Sequence, residues 1–203
     1  MKKLAATLLI CLLCTVGSAW SQSPTPDECL ARVKNMEPML PKLMDSASAA
    51  IHALLPNPAA YEKTLPTMAK VIATKDKTNL KNYGGLSEGF FFAGDKVKGE
   101  KLYNQFKANA KTILGPTDTY QALIEGDMGL VYFYEKNYAK AEPMLLDSKN
   151  QLEANLTAAV ANNLITDYMC LSMMYDKKGK PAEAKKYAKA LVDLAVKQRS
   201  KPF

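Results

Sequence analysis

Met128-Gly129-Leu130-Val131-Tyr132, followed by Tyr138-Ala139-Lys140-Ala141 and Leu145, decides the fold of this 203-residue chain. A large apolar residue, a small one and an aromatic stand at 128, 129 and 132. A second small residue and a second large one follow at 141 and 145. Working outward, the order recurs upstream in Leu86, Ser87, Phe90, Gly99 and Tyr103, and downstream in Leu171, Ser172, Tyr175, Ala184 and Ala188. Ser87, Gly129 and Ser172 are separated by 42 and then 43 positions. A unit of that size cannot bury its apolar face alone, so neighbouring units must stack. Phe90-Phe91-Phe92 and Val131-Tyr132-Phe133-Tyr134 are short enough to suggest strands. Both fall where the unit needs its helix, and strand-type alternation is nearly absent elsewhere.

Turn signals separate the helical stretches at Gly94-Asp95, Gly115-Pro116, Lys136-Asn137 and Gly179-Lys180. Upstream the pattern is looser. Thr25-Pro26-Asp27-Glu28 has the form of a helix start, with Thr as N-cap, Pro in the first turn and Glu closing a capping box. Pro38 and Pro41 should kink or break the helix that follows, and Leu55-Pro56-Asn57-Pro58 reads as a turn. Residues 75–85, ending in Gly84-Gly85, form the weakest segment for order.

The motif residues at 128–145, and their counterparts around Leu86 and Leu171, resemble the tetratricopeptide repeat. Tyr83 and Tyr168 stand where that family often has Trp. The family's common period is 34 residues, so each unit here carries eight or nine more, about 12 Å of extra helix per hairpin. The family's terminal proline is missing, and Pro143 falls early in a second helix. The resemblance implies an all-α fold: a right-handed α-solenoid of about four antiparallel helix hairpins. Residues 26–79 would be a degenerate first hairpin and 80–203 three full units. The family generally binds peptides or protein surfaces in a groove lined by the first helix of each hairpin. Carried onto this chain, the groove positions are Glu88, Phe91 and Phe92, then Leu130, Phe133 and Tyr134, then Met173, Asp176 and Lys177. An aromatic groove with a charged end suits a peptide with an acidic terminus. The competing reading is that these aromatics pack between neighbouring hairpins.

The first residues give an address. Met1-Lys2-Lys3 is a positive n-region, Leu4 to Val16 a short apolar core, and Gly17-Ser18-Ala19 a small-residue approach to a signal peptidase site. Cleavage is expected after Ser21 or Ala19. This gives a signal peptide over 1–21, a linker over 22–25 and one helical repeat domain over 26–203. The pattern is of bacterial type and implies a periplasmic or secreted protein with no stable membrane insertion after signal removal. Loss of Lys2 and Lys3 takes the formal net charge from +7 to +5. Nine cationic and two acidic side chains follow Asp176, so the basic charge is concentrated at the C-terminal end. That end could steer an anionic partner or keep the end of the stack soluble. Nucleic acid is not expected, since the basic stretch lacks aromatic interleaving.

Residues for chemistry are scarce. His52 is the single histidine. There is no Cys/His ligand cluster and no phosphate-cradling glycine loop. A serine nucleophile would find only His52 as its base. Neither an enzymatic activity nor a cofactor or metal is expected. Glu125 and Asp127 are read as solvated helix carboxylates. Two functions remain: an exported protein- or peptide-binding scaffold, or a self-associating structural protein of the envelope. The second would form a homodimer through residues 181–199, whose stripe of Ala184, Tyr187, Ala188, Leu191, Leu194 and Ala195 has no further helix behind it in the sequence. Cys29 and Cys170 are expected to be free thiols, because a linear stack places several helices between them.

Overall fold

The computed structural model of the chain describes residues 24–200. The signal peptide expected over 1–21 lies outside them. All regular structure among the described residues is helical. In chain order the α-helices are α1 (Pro26–Asn35), α2 (Leu40–Leu54), α3 (Pro58–Glu62), α4 (Met68–Thr74), α5 (Lys77–Phe92), α6 (Lys96–Leu114), α7 (Tyr120–Tyr134), α8 (Tyr138–Ala154), α9 (Ala161–Lys177) and α10 (Pro181–Ser200). A 3-10 turn over Glu37–Met39 joins α1 to α2.

Local chemistry sets the boundaries. At the start of α1 the Glu28 amide donates to Thr25 Oγ1 at 3.3 Å, and the Thr25 amide donates to Glu28 Oε2 at 2.7 Å. Two otherwise orphaned amide groups are thus satisfied reciprocally. Pro38 and Pro41 end α1 and open the 3-10 turn and α2, because a proline ring cannot continue a helix from within. The turns between α5 and α6, α7 and α8, and α9 and α10 have one geometry. Gly94, Lys136 and Gly179 all take positive φ (92°, 61° and 68°), at spacings of 42 and 43. The carbonyls of Phe90, Tyr132 and Tyr175 accept from the amides of Asp95, Asn137 and Lys180 at 3.0, 2.9 and 2.8 Å. Each of these aromatics therefore buries a ring and closes its helix through its own carbonyl. Asp95 and Asn137 then cap α6 and α8 with their side chains.

Three adjacent helix pairs result: α5 with α6, α7 with α8, and α9 with α10. Small residues set their separation. A methyl group placed on Gly99 would stand 2.8 Å from the Ser87 carbonyl oxygen. One placed on Gly129 would stand 2.9 Å from Leu145 Cγ. In the third pair Ser172 Oγ donates to the Ala184 carbonyl at 2.8 Å. The first helices also pack on each other, α5 on α7 and α7 on α9, and α8 packs on α9. The Phe91 and Tyr132 rings meet edge to face across the first two pairs, with centroids 5.1 Å apart. Residues 75–85 depart from expectation. Helix α5 begins at Lys77, and the Gly84 position sits beside the rings of Tyr120 and Phe106. The glycine marks a close helix approach rather than weak order.

The N-terminal third departs further. It forms no single hairpin stacked below the first pair. Helix α1 packs against α10 and α9, at the far end of the row. Helix α2 runs back over α7 and α5, α3 packs on α5, and α4 packs on α5 and α6. The last helix is therefore covered, and Leu191, Val192 and Leu194 are buried. Cys29 and Cys170, the cysteines of the described residues, are free thiols, as expected, and both are buried. The reason given for it does not hold, because α1, which carries Cys29, packs on α9, which carries Cys170.

Candidate functional site

The expected groove positions lie on α5, α7 and α9, and the structure divides them. Glu88, Phe91, Leu130, Phe133 and Met173 are buried. Phe91 is taken up by Tyr132 of the next pair. Phe133 lies 6.0 Å, centroid to centroid, from Tyr138 at the start of α8. Phe91 thus packs between neighbouring pairs, the competing role foreseen for it, whereas Phe133 packs within its own pair. Phe92 and Asp176 are half-buried, while Tyr134 and Lys177 are exposed. The accessible part of the expected groove is therefore its rim.

The chain's own N-terminal segment fills much of the rest. A methyl group on Gly89 of α5 would collide with the Leu55 side chain, with Pro58 close behind. At the other end the contacts are ionic. Lys177 pairs with Glu37 at 2.9 Å, Lys185 with Asp27 at 2.5 Å, and Lys34 with Asp176 at 2.9 Å. Under these pairs Cys29, Leu30, Val33 and Met36 of α1 and its C-cap are buried. Lys178 pairs with Glu142, and Lys189 with Asp193. Much of the basic C-terminal cluster is thus matched by carboxylates within the fold. Two of these come from the N-terminal segment.

A polar network inside the row was not anticipated. Glu125 on α7 is fully buried rather than solvated. Lys107 of α6 pairs with it, and Gln151 Nε2 donates to its Oε2 at 3.1 Å. Burial opposes the Lys107 charge, but the hydrogen bond and charge of Glu125, with Asp147 adding, hold its pKa above the usual lysine range. Burial, and then the Glu125 charge, push the Tyr103 phenol far up. One unit on, Asp167 of α9 is also buried and accepts a hydrogen bond from Ser148 Oγ of α8 at 2.7 Å. Burial raises the Asp167 carboxyl well above the ordinary range, against the lowering effect of Ser148. Residues 125 and 167 are 42 apart, one short of the 43 that separates these two units, so the two acids do not occupy the same repeat position. In both places an acid on a first helix is buried against the second helix of the preceding pair.

This network joins helices. Two surface depressions, of about 780 and 560 Å³, lie between α4 and α6 around Met68, Val97 and Lys101. Glu125, Lys107 and Asp167 line neither. His52 is exposed on α2. Among the described residues no group of three or more His, Cys, Asp or Glu side chains could hold a metal ion, and no helix is long and apolar enough to cross a membrane. No protein-family model matches the chain, and comparison with curated proteins and with solved structures returns no match.

Proposed function

We propose that this chain is an exported protein- or peptide-binding scaffold, built from tetratricopeptide-like helical hairpins and acting without catalysis. The observation that carries the reading is the row of three helix pairs with one turn geometry at 42- and 43-residue spacing, whose first-helix side already holds helical segments. A solenoid built from such hairpins presents an extended surface suited to polypeptide. The surface ion pairs follow the same row: Lys98 with Glu62, Lys140 with Glu100, and Lys178 with Glu142. Export follows from the leader pattern over 1–21. The alternative of self-association through the last helix loses its motive, since α1 covers that helix.

The test is capture from an envelope fraction by the exported chain, with mass spectrometry of what is retained. A defined set of proteins should be retained by the wild type and lost with Phe92→Ala/Tyr134→Ala, which alters the accessible rim. Val97→Lys, on the opposite helix of the first pair, should retain the same set. Equal retention by all three chains would rule out the rim as the binding surface.

A further inference from the structure

The seat of α1 is the most ligand-like feature of the molecule. Helix α1 has only 10 residues, too few to be stable alone, since isolated helices shorter than about 12–15 residues are marginal in water. Its order depends on the surface beneath it. That surface reads an apolar stripe, Cys29, Leu30, Val33 and Met36, at helical spacing. It also reads an acid before the stripe, Asp27 on Lys185, and an acid after it, Glu37 on Lys177. Beyond Glu37 the chain leaves through the proline-bearing 3-10 turn. Helix α2 then buries Leu40 and Met44, while Leu54 at its end is exposed. The connection from the α1 seat to the rest of the fold is thus lightly anchored.

We propose that the surface of α9 and α10 beneath α1 is a helix-docking site occupied in cis, and that its trans partner is an amphipathic helix of another protein. That helix carries an acidic residue on each side of a four-residue apolar stripe. Both the shape and the charge of the seat argue for this occupant: it holds such a helix, its Lys177 and Lys185 face that helix's carboxylates, and its Asp176 faces that helix's Lys34. The cis segment acts as a tethered competitor. Its effective concentration is on the order of millimolar, so a partner must match α1 closely or meet a chain in which α1 has been released. This rests on the scaffold reading and gives that reading a ligand class.

The probe is a fluorescent synthetic peptide of residues 24–40, titrated by anisotropy into the full mature chain. Three chains are compared: wild type, Val33→Asp, which puts a charge under α1, and Asp27→Lys/Glu37→Lys, which breaks two of the three surface ion pairs that hold the segment, leaving Lys34–Asp176, without touching the core. The Val33→Asp chain should bind the peptide at least about tenfold more tightly than wild type, because its own helix no longer competes. The charge-reversed chain, which folds even if Val33→Asp does not, should fall between them. Adding Lys177→Glu/Lys185→Glu to either variant should abolish the gain. Equal affinity in all three chains, or no binding to a charge-reversed chain of native circular dichroism, overturns the proposal. A wild-type dimer that the peptide dissociates would make the occupant a second copy and overturn the foreign partner. Any of these failures leaves the rim-dependent capture described above intact, so the two readings fail separately.

Discussion

Lys177, at the end of α9, pairs with Glu37, just past the end of α1, with nitrogen and oxygen 2.9 Å apart. The pair joins a residue of the last helix pair to one from the start of the described chain. Both side chains are about half exposed, so the pair alone contributes little, roughly 0–1 kcal/mol. Its value is as a marker of register. With Lys34–Asp176 and Lys185–Asp27 it fixes where α1 lies on α9 and α10.

Close helix approach in the first two pairs should be intolerant of added volume. Gly99→Ala replaces a poor helix former with the best one, a gain of about 1 kcal/mol in an open helix. Here the new methyl would meet the Ser87 carbonyl and the Phe91 amide at 2.8 and 2.9 Å. A net loss of about 1–3 kcal/mol is expected in urea unfolding. Ala141→Leu, at a fully buried position, should cost a similar amount or more. An unchanged urea midpoint in both would mean the pairs are not this close.

Lys136 should be the weakest of the three turn residues. It holds a left-handed conformation (φ 61°) that Gly94 and Gly179 adopt without a steric penalty. Lys136→Gly is therefore expected to stabilise the protein by about 0.5–1 kcal/mol. A loss of stability would show that the lysine side chain contributes something the turn geometry does not reveal.

Asp167 should make stability depend on pH. Its carboxyl titrates above the free value because it is buried, with the charges of Asp127 and Glu125 adding to the effect and Ser148 opposing it. An acid of this kind adds stability that is whole below its unfolded pKa, about 3.9, and lost as pH rises through its folded one. Asp167→Asn should therefore raise Tm at pH 8, by on the order of 2–4 °C if about 1 kcal/mol is recovered. The advantage should shrink as pH falls toward 4. A Tm difference that stays constant with pH would show that Asp167 titrates normally.

The two thiols should differ in accessibility. Burial raises both, Cys170 well above the ordinary range and Cys29 less so. Alkylation of the native protein is expected to be slow at both sites and faster at Cys29, because opening of α1 exposes it without disturbing α9. Equal rates at both sites would mean that α1 does not open independently.

Much of the fold was legible because it is written in local chemistry. The capping box at Thr25, the turns at Gly94, Lys136 and Gly179, and the small residues Gly99, Gly129 and Ala184 each act over a few residues or one helix contact. The course of α1 was not legible. A repeat period reports which neighbours stack, and α1 belongs to no period. Its seat is set by Cys29, Leu30 and Val33 meeting a surface some 150 residues away in sequence. Of the expected groove positions Tyr134 and Lys177 are accessible while Phe91 and Phe133 are buried, because an aromatic on a first helix can face a groove or a neighbouring helix at the same spacing. Glu125 and Asp167 were taken for solvated or passed over, since burial of a carboxylate depends on partners such as Lys107 and Ser148 on the preceding pair.

The central claim is that the chain closes on itself, with α1 seated on the last helix pair. Cross-linking tests it most directly. Asp27 and Lys185 are both accessible and are joined by an ion pair of 2.5 Å, while Cys29 and Cys170 are buried. Asp27→Cys/Lys185→Cys, treated at micromolar protein with a short bis-maleimide, should give one intramolecular bridge in the monomer, located by peptide mass spectrometry. A chain of native circular dichroism that forms no such bridge would leave α1 elsewhere and contradict the account.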